Sequence, residues 1–138
     1  MPSTVLVDSG PLIALFDRDD HHHRRALKWM RANQAALATN TAVLTEVCHL
    51  LAAGGIPAGD FLGWAEQALD IDDRTGGDLP RIRAILAAYH DLPADFADAS
   101  LVALAERRSC FTVATVDRDF TVYRSATRRH FRNVFPLT

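Results

Sequence analysis

Four acidic residues stand where solvation alone is a poor reason for an acid. Asp8 closes the apolar run of VLVD, and Asp117 closes that of TVATVD. If both runs are strands of one parallel sheet, both carboxylates reach the rim outside which such sheets bind ligands. Glu46 has Val43 at i−3 and Leu50 at i+4, while Asp98 has Leu101 at i+3 and Val102 at i+4. That spacing sets each of them beside apolar neighbours on a helix. Carboxylates converging on one rim repel and raise one another's pKa unless a cation neutralises them. An oxygen-only ligand set without His or Cys selects Mg²⁺ or Mn²⁺.

Each acid also has an ordinary role open to it. Asp8 can be the N-cap of a helix over Pro11–Phe16, although Ser9 can cap equally well and leave Asp8 free. Asp117 can be a turn residue in VDRDF, where Asp119 offers a second carboxylate. An acid within a helix is commonly solvated or drawn to the first turn by the macrodipole. Pro93-Ala94-Asp95 reads as a helix start with Asp95 as its cap, which leaves Asp98 in need of another reason to face inward.

The elements that must carry these acids alternate in type. Thr4–Val7, Ala36–Thr39, Thr112–Val116 and Asn133–Leu137 are short runs with strand composition, and Leu69–Asp72 is a weaker one. Between them apolar residues recur at helical spacing, as in Leu44, Val47, Cys48, Leu51 and again in Leu62, Ala65, Leu69. Alternating strands and helices imply a parallel sheet with crossover helices on its faces. Gly54-Gly55-Ile56-Pro57 and Thr75-Gly76-Gly77 mark breaks between helices and strand. No linker or repeat interrupts the 138 residues, so a single domain over 1–138 is expected.

Composition narrows the classes. With 49% hydrophobic residues and a net charge of −2, the chain can pack a core but cannot coat nucleic acid by bulk charge. Cys48 and Cys110 form no CxxC and read as reduced thiols, and no stretch is long enough to span a bilayer or act as a signal peptide. A cytoplasmic protein is expected. His21-His22-His23 places consecutive residues on different helix faces, so the run reads as a solvated helix start rather than a metal site. Arginines gather at Arg18, Arg24, Arg25 and Arg31 and again at Arg124, Arg128, Arg129 and Arg132. Either group can hold phosphates locally or be a solvated face. The apolar helices from Leu12 to Leu51 can be core or an interface with a partner.

The segments VLVDSGPLIALFDRDDHHHRRA, TNTAVLTEVCHLL, DFADASLVALAERR and TVDRDF, in that order and spacing, resemble the PIN-domain ribonucleases, and within them the VapC-type toxins of toxin–antitoxin pairs. The resemblance spans essentially the whole chain. It implies a three-layer α/β/α fold with a parallel sheet in order 3-2-1-4-5, which makes Leu69–Asp72 the third strand. It places the acidic site on Asp8, Glu46, Asp98 and Asp117, with Asp119 as helper and with Ser9 and Thr115 at the accompanying hydroxyl positions. The fourth acid is Asp117 or Asp119, and the T-x-D position favours Asp117. The activity implied is Mg²⁺- or Mn²⁺-dependent cleavage of a structured RNA, a tRNA or an rRNA loop, by water. The partners implied are a VapB-type antitoxin and a second copy of the chain. The rival readings are a binding module that has lost catalysis and a haloacid-dehalogenase-like phosphatase. The latter needs a second Asp two residues after Asp8, where Gly10 stands.

Overall fold

The computed structural model describes residues 3–125 and 128–138. Its centre is a five-stranded parallel sheet of β1 (Thr4–Val7), β2 (Ala36–Asn40), β3 (Leu69–Asp72), β4 (Thr112–Ala114) and β5 (Arg132–Asn133), in order β3-β2-β1-β4-β5. Six helices flank it: α1 (Ser9–Phe16), α2 (His23–Ala32), α3 (Thr41–Ala53), α4 (Gly59–Ala68), α5 (Leu79–Ala88) and α6 (Phe96–Arg108). This is the expected three-layer architecture. No described helix is long and apolar enough to cross a membrane.

The central strands are buried on both faces, which is why they read as continuous apolar runs. Leu6 and Val7 of β1, Ala38 of β2 and Val113 and Ala114 of β4 are fully buried. Helix α6 is almost wholly interior, with Leu101, Val102, Leu104 and Ala105 inaccessible. Each buried branched side chain contributes roughly 1.5–3 kcal/mol over its exposed state. The apolar surplus of the early helices is mostly core too: Leu12, Val43, Val47 and Leu51 are buried, and Leu50 is the large apolar residue of α3 left exposed. Trp29, Trp64 and Tyr89 pack edge-on against Phe135, Phe16 and Tyr123.

Three boundaries differ from the sequence reading. Helix α1 begins at Ser9, two residues before Pro11, with Asp8 as its cap. Strand β4 ends at Ala114, and β5 is two residues long rather than Asn133–Leu137. One side chain accounts for both changes. Asn133 accepts from Thr115 N at 3.1 Å, donates to Thr115 O at 3.0 Å and accepts from Phe135 N at 3.0 Å. These bonds replace the backbone ladder just beyond Val113, and Pro136 has no N–H with which to resume it.

Gly10 is a required close approach. A Cβ there would lie 2.3 Å from Val116 Cγ2, so the absent side chain lets α1 meet the segment that follows β4. That contact brings Asp8 and Asp117 to the same end of the sheet.

Candidate active site

Asp8 performs both roles that the sequence leaves open. It caps α1 by accepting from Ser9 N at 2.8 Å, and its other oxygen accepts the Thr115 hydroxyl at 2.8 Å. Thr115 is fully buried, and its Oγ1 also accepts from Asp117 N at 2.9 Å. One hydroxyl therefore joins the ends of β1 and β4. Burial pushes the Asp8 carboxyl up to about 6, helped by the charges of Asp117 and Asp95 and opposed by the Thr115 and Ser9 bonds.

With Asp8 as the cap, the Ser9 hydroxyl is left to donate to Glu46 Oε1. Glu46 is raised by partial burial and by the neighbouring acids Asp95 and Asp8. The helix that carries it is fixed by Asn40, whose Oδ1 caps α3 at Val43 N (3.0 Å) while its Nδ2 donates to Ser100 of α6 (3.0 Å). Asn40 thus locks the Glu46 helix to the Asp98 helix.

Asp98 is 8% exposed and is drawn inward by a reciprocal capping box. Asp95 accepts from Asp98 N at 2.9 Å, and Asp98 accepts from Asp95 N at 3.2 Å. Burial and the charge of Asp8 push Asp98 well above the usual carboxylate range. Asp117 accepts from Asp119 N at 2.8 Å, capping a 3-10 turn over Arg118–Thr121, and burial raises it as well. Asp117 acts on both Asp8 and Asp98, whereas the Asp119 charge is felt by Asp117 and Tyr123.

Residues 5–125 match the PIN domain family. The chain belongs to that family. Its fold is also that of VapC20, a sarcin-ricin-loop-cleaving toxin of Mycobacterium tuberculosis, with a TM-score of 0.81 and 19% sequence identity over 96% of this chain and 99% of that one. No curated protein matches the chain by sequence.

In this PIN domain the charge of Asp95 acts on each of Asp8, Glu46, Asp98 and Asp117, and Asp8 and Asp117 also act on Asp98. Among the described residues, no three His, Cys, Asp or Glu side chains are gathered as a finished ligand set. The donor chemistry nevertheless fits a hard divalent cation. The set is all oxygen, and every member is raised above the usual carboxylate range. Tyr123 adds a second sign of incompleteness. Its hydroxyl is buried with no hydrogen-bond partner among the described residues, while burial and the charges of Asp98 and Asp117 keep it protonated.

Asn40, Asn133 and Tyr123 are the contributors missed from sequence, and Asp95, read there only as the cap it is, also acts by its charge on the other acids. Only Asp95 carried a usable signal, the Asp-x-x-Asp of a capping box read in both directions. The four arginines near the C-terminus have different neighbours. Arg124 and Arg128 line a cavity of about 300 Å³ with Arg81 and Tyr89. Arg129 lies 4.3 Å above the ring of Phe111, and Arg132 pairs with Thr112 at the amino end of β4, away from the acidic rim. The histidine run is also more structural than expected. The ring nitrogen Nδ1 of His23 bonds Ala14 O at 2.7 Å, and His22 packs edge-on against Phe135.

Proposed function

We propose that this protein is a VapC-type endoribonuclease toxin that uses Mg²⁺ or Mn²⁺ to cut a structured RNA, with Asp8, Glu46, Asp98 and Asp117 as its acidic site. The carrying observation is the burial of Asp8 at the sheet's carboxyl rim, in the field of Asp117 and Asp95, with no basic partner among the described residues. A buried carboxylate left uncompensated costs several kcal/mol unless it stays protonated or meets a cation. A divalent cation, when bound, supplies a water of lowered pKa and neutralises charge on the scissile phosphate.

The chain's own residues set the stage for that chemistry. Thr115 and Ser9 N hold the two oxygens of Asp8 in fixed directions, leaving their remaining lone pairs for a ligand. Glu46, half-buried and kept partly protonated by its acidic neighbours, is suited to orient or deprotonate a water. Asp98 and Asp117 complete an acid-lined rim that only a cation can make hospitable to a phosphodiester. Arg124 and Arg128, with Arg81, are the arginines proposed to hold flanking phosphates.

The natural candidates for the RNA are a tRNA or an rRNA loop, and the sarcin-ricin loop cut by VapC20 is the first to try. A VapB-type antitoxin, a second copy of the chain, action in the cytoplasm and a single domain over 1–138 belong to the same reading. The test is digestion of total cellular RNA by antitoxin-free protein with Mg²⁺, with Mn²⁺ and with chelator, beside Asp8→Asn. Discrete fragments that need both the cation and Asp8 are expected. Fragments that persist in chelator or in Asp8→Asn would overturn the assignment.

A further inference from the structure

Beside the acidic rim lies a cleft of about 480 Å³ that the four acids do not explain. Ala42, Thr45, Glu46 and His49, one face of α3, form one wall, and Asp95 and Phe96 at the start of α6 form the other. Phe96 is 44% exposed. The other phenylalanines, both tryptophans and both tyrosines each meet another aromatic ring, and among the described residues Phe96 alone has none. Nothing in the core needs a ring there. The position is the first of the helix, next to the capping aspartate, where a small residue would serve the fold as well.

We propose that this cleft is a base-binding subsite, which takes one unpaired nucleobase of the RNA strand stacked on Phe96 next to the scissile phosphate. The proposal rests on the nuclease reading and adds to it how the substrate is chosen. The cleft shares Glu46 and Asp95 with the acidic cluster, so whatever fills it lies one group away from a phosphate held at the rim. Its carboxylates repel the RNA backbone but accept hydrogen bonds from the amino groups of a neutral base. Single-stranded RNA is commonly recognised by splayed bases laid on aromatic faces, and the volume is that of a small-molecule site rather than a groove for a helix. The few acceptors on this mostly apolar wall, Glu46 and Asp95, favour adenine, cytosine or guanine, which carry an amino group, over uracil.

The experiment measures binding of fluorescein-labelled single-stranded RNA hexamers by anisotropy in the Asp8→Asn background, where cleavage does not interfere. Adding Phe96→Ala should weaken binding by about 5- to 150-fold, the range of one aromatic–base stack, while Phe96→Trp should stay within about threefold. An abasic position in the hexamer should cost Asp8→Asn alone the same factor and the Phe96→Ala protein little more. Cytosine hexamers should bind more tightly than uracil hexamers. Equal affinity with and without Phe96→Ala overturns the subsite while leaving the nuclease reading intact. Absence of both hexamer binding and RNA cleavage overturns both. Normal RNA binding by Phe96→Ala, together with lost inhibition by the antitoxin, would assign the cleft to a protein instead.

Discussion

Two aspartates of this molecule, Asp8 and Asp72, are each 4% exposed and each stand at the carboxyl end of a strand, yet their environments are opposite. Asp72 is gripped by Arg107 at 2.8 and 2.9 Å and by Arg108 at 3.0 and 3.2 Å, and Asp78 and Asp70 extend the network. Those guanidinium bonds hold the Asp72 carboxyl well below the usual range, in spite of its burial. Asp8 meets only a hydroxyl, a backbone N–H and other acids, and its carboxyl rises to about 6. Burial alone does not say what an acid is for. The Asp72 network closes its charges internally and ties the edge strand β3 to α6, whereas the Asp8 rim is left open for a charge from outside.

The sharpest way to break this contrast is to neutralise each acid in turn. Asp8→Asn should lower the rate of cation-dependent RNA cleavage by about a thousandfold or more, equivalent to about 4 kcal/mol of transition-state stabilisation, with the fold intact by circular dichroism. Asp72→Asn should do the reverse, leaving the rim untouched and costing about 2–4 kcal/mol of stability in urea denaturation, because two arginines lose a shared partner. If Asp72→Asn abolished cleavage in a folded protein, or Asp8→Asn unfolded it, the division between an open and a closed acid would be wrong.

The same contrast predicts opposite pH dependence. The Asp8 pKa is raised on folding from 3.8 to about 6, so the folded state holds that proton more tightly than the unfolded one. Stability from this group is therefore full only below pH 3.8 and is lost as pH rises from there through 6, on the order of 3 kcal/mol. Asp72, lowered on folding, stabilises the protein above pH 4 and loses that contribution as the pH falls further. Cation-free protein should thus lose thermal stability from pH 4 to about 8, as Asp8, Glu46 and Asp98 give up their raised protons, and Asp8→Asn should reduce the slope between pH 4 and 6. At pH 8, Mn²⁺ or Mg²⁺ at a hundredfold excess over its Kd should restore about 2.7 kcal/mol to the wild type and almost none to Asp8→Asn. A wild-type melting temperature that ignored divalent cations at pH 8 would sink the cation reading.

The sequence was most legible where one local rule governed. Central strands buried on both faces announced themselves as apolar runs, and Asp8 as the charge that follows β1, while Asp117 lies three residues beyond the end of β4. Even Leu69–Asp72, weak in its own composition, is β3, because Asp72 is held by residues more than thirty positions away in α6 rather than by any local propensity. Long-range side chains hid the rest. Asn133 shortens β4 and β5 by bonding Thr115, and Asn40 joins α3 to α6, but neither residue has a pattern in its own neighbourhood that reveals this. Proximity along the chain also says nothing about strand pairing: β5 carries Arg132 to the amino end of the sheet while Arg124 and Arg128 line a cavity against α5. Asp8 and Ser9 were read as alternatives for one cap, and the structure gives the cap to Asp8 and a different partner, Glu46, to Ser9.

The smallest perturbation probes the spacing of the open acids without altering any of them. In Gly10→Ala the new methyl would sit 2.3 Å from Val116 Cγ2, so either α1 or the segment leading to Asp117 has to move. Overpacking of this kind costs about 1–3 kcal/mol, and the better helix propensity of Ala returns about 0.5–1 kcal/mol. A net loss of about 1 kcal/mol in denaturant is expected, with the Asp72 network unaffected. Cleavage should fall by more than stability does, because the displaced part carries Asp8 or Asp117 while the core stays closed. Adding Val116→Ala removes the obstructing methyl groups, so the double variant should regain cleavage relative to Gly10→Ala alone, a non-additivity that marks direct contact. If Gly10→Ala kept full cleavage, the rim would tolerate displacement of its acids, and the separation of Asp8 from Asp117 would not be what the close approach of Gly10 to Val116 maintains.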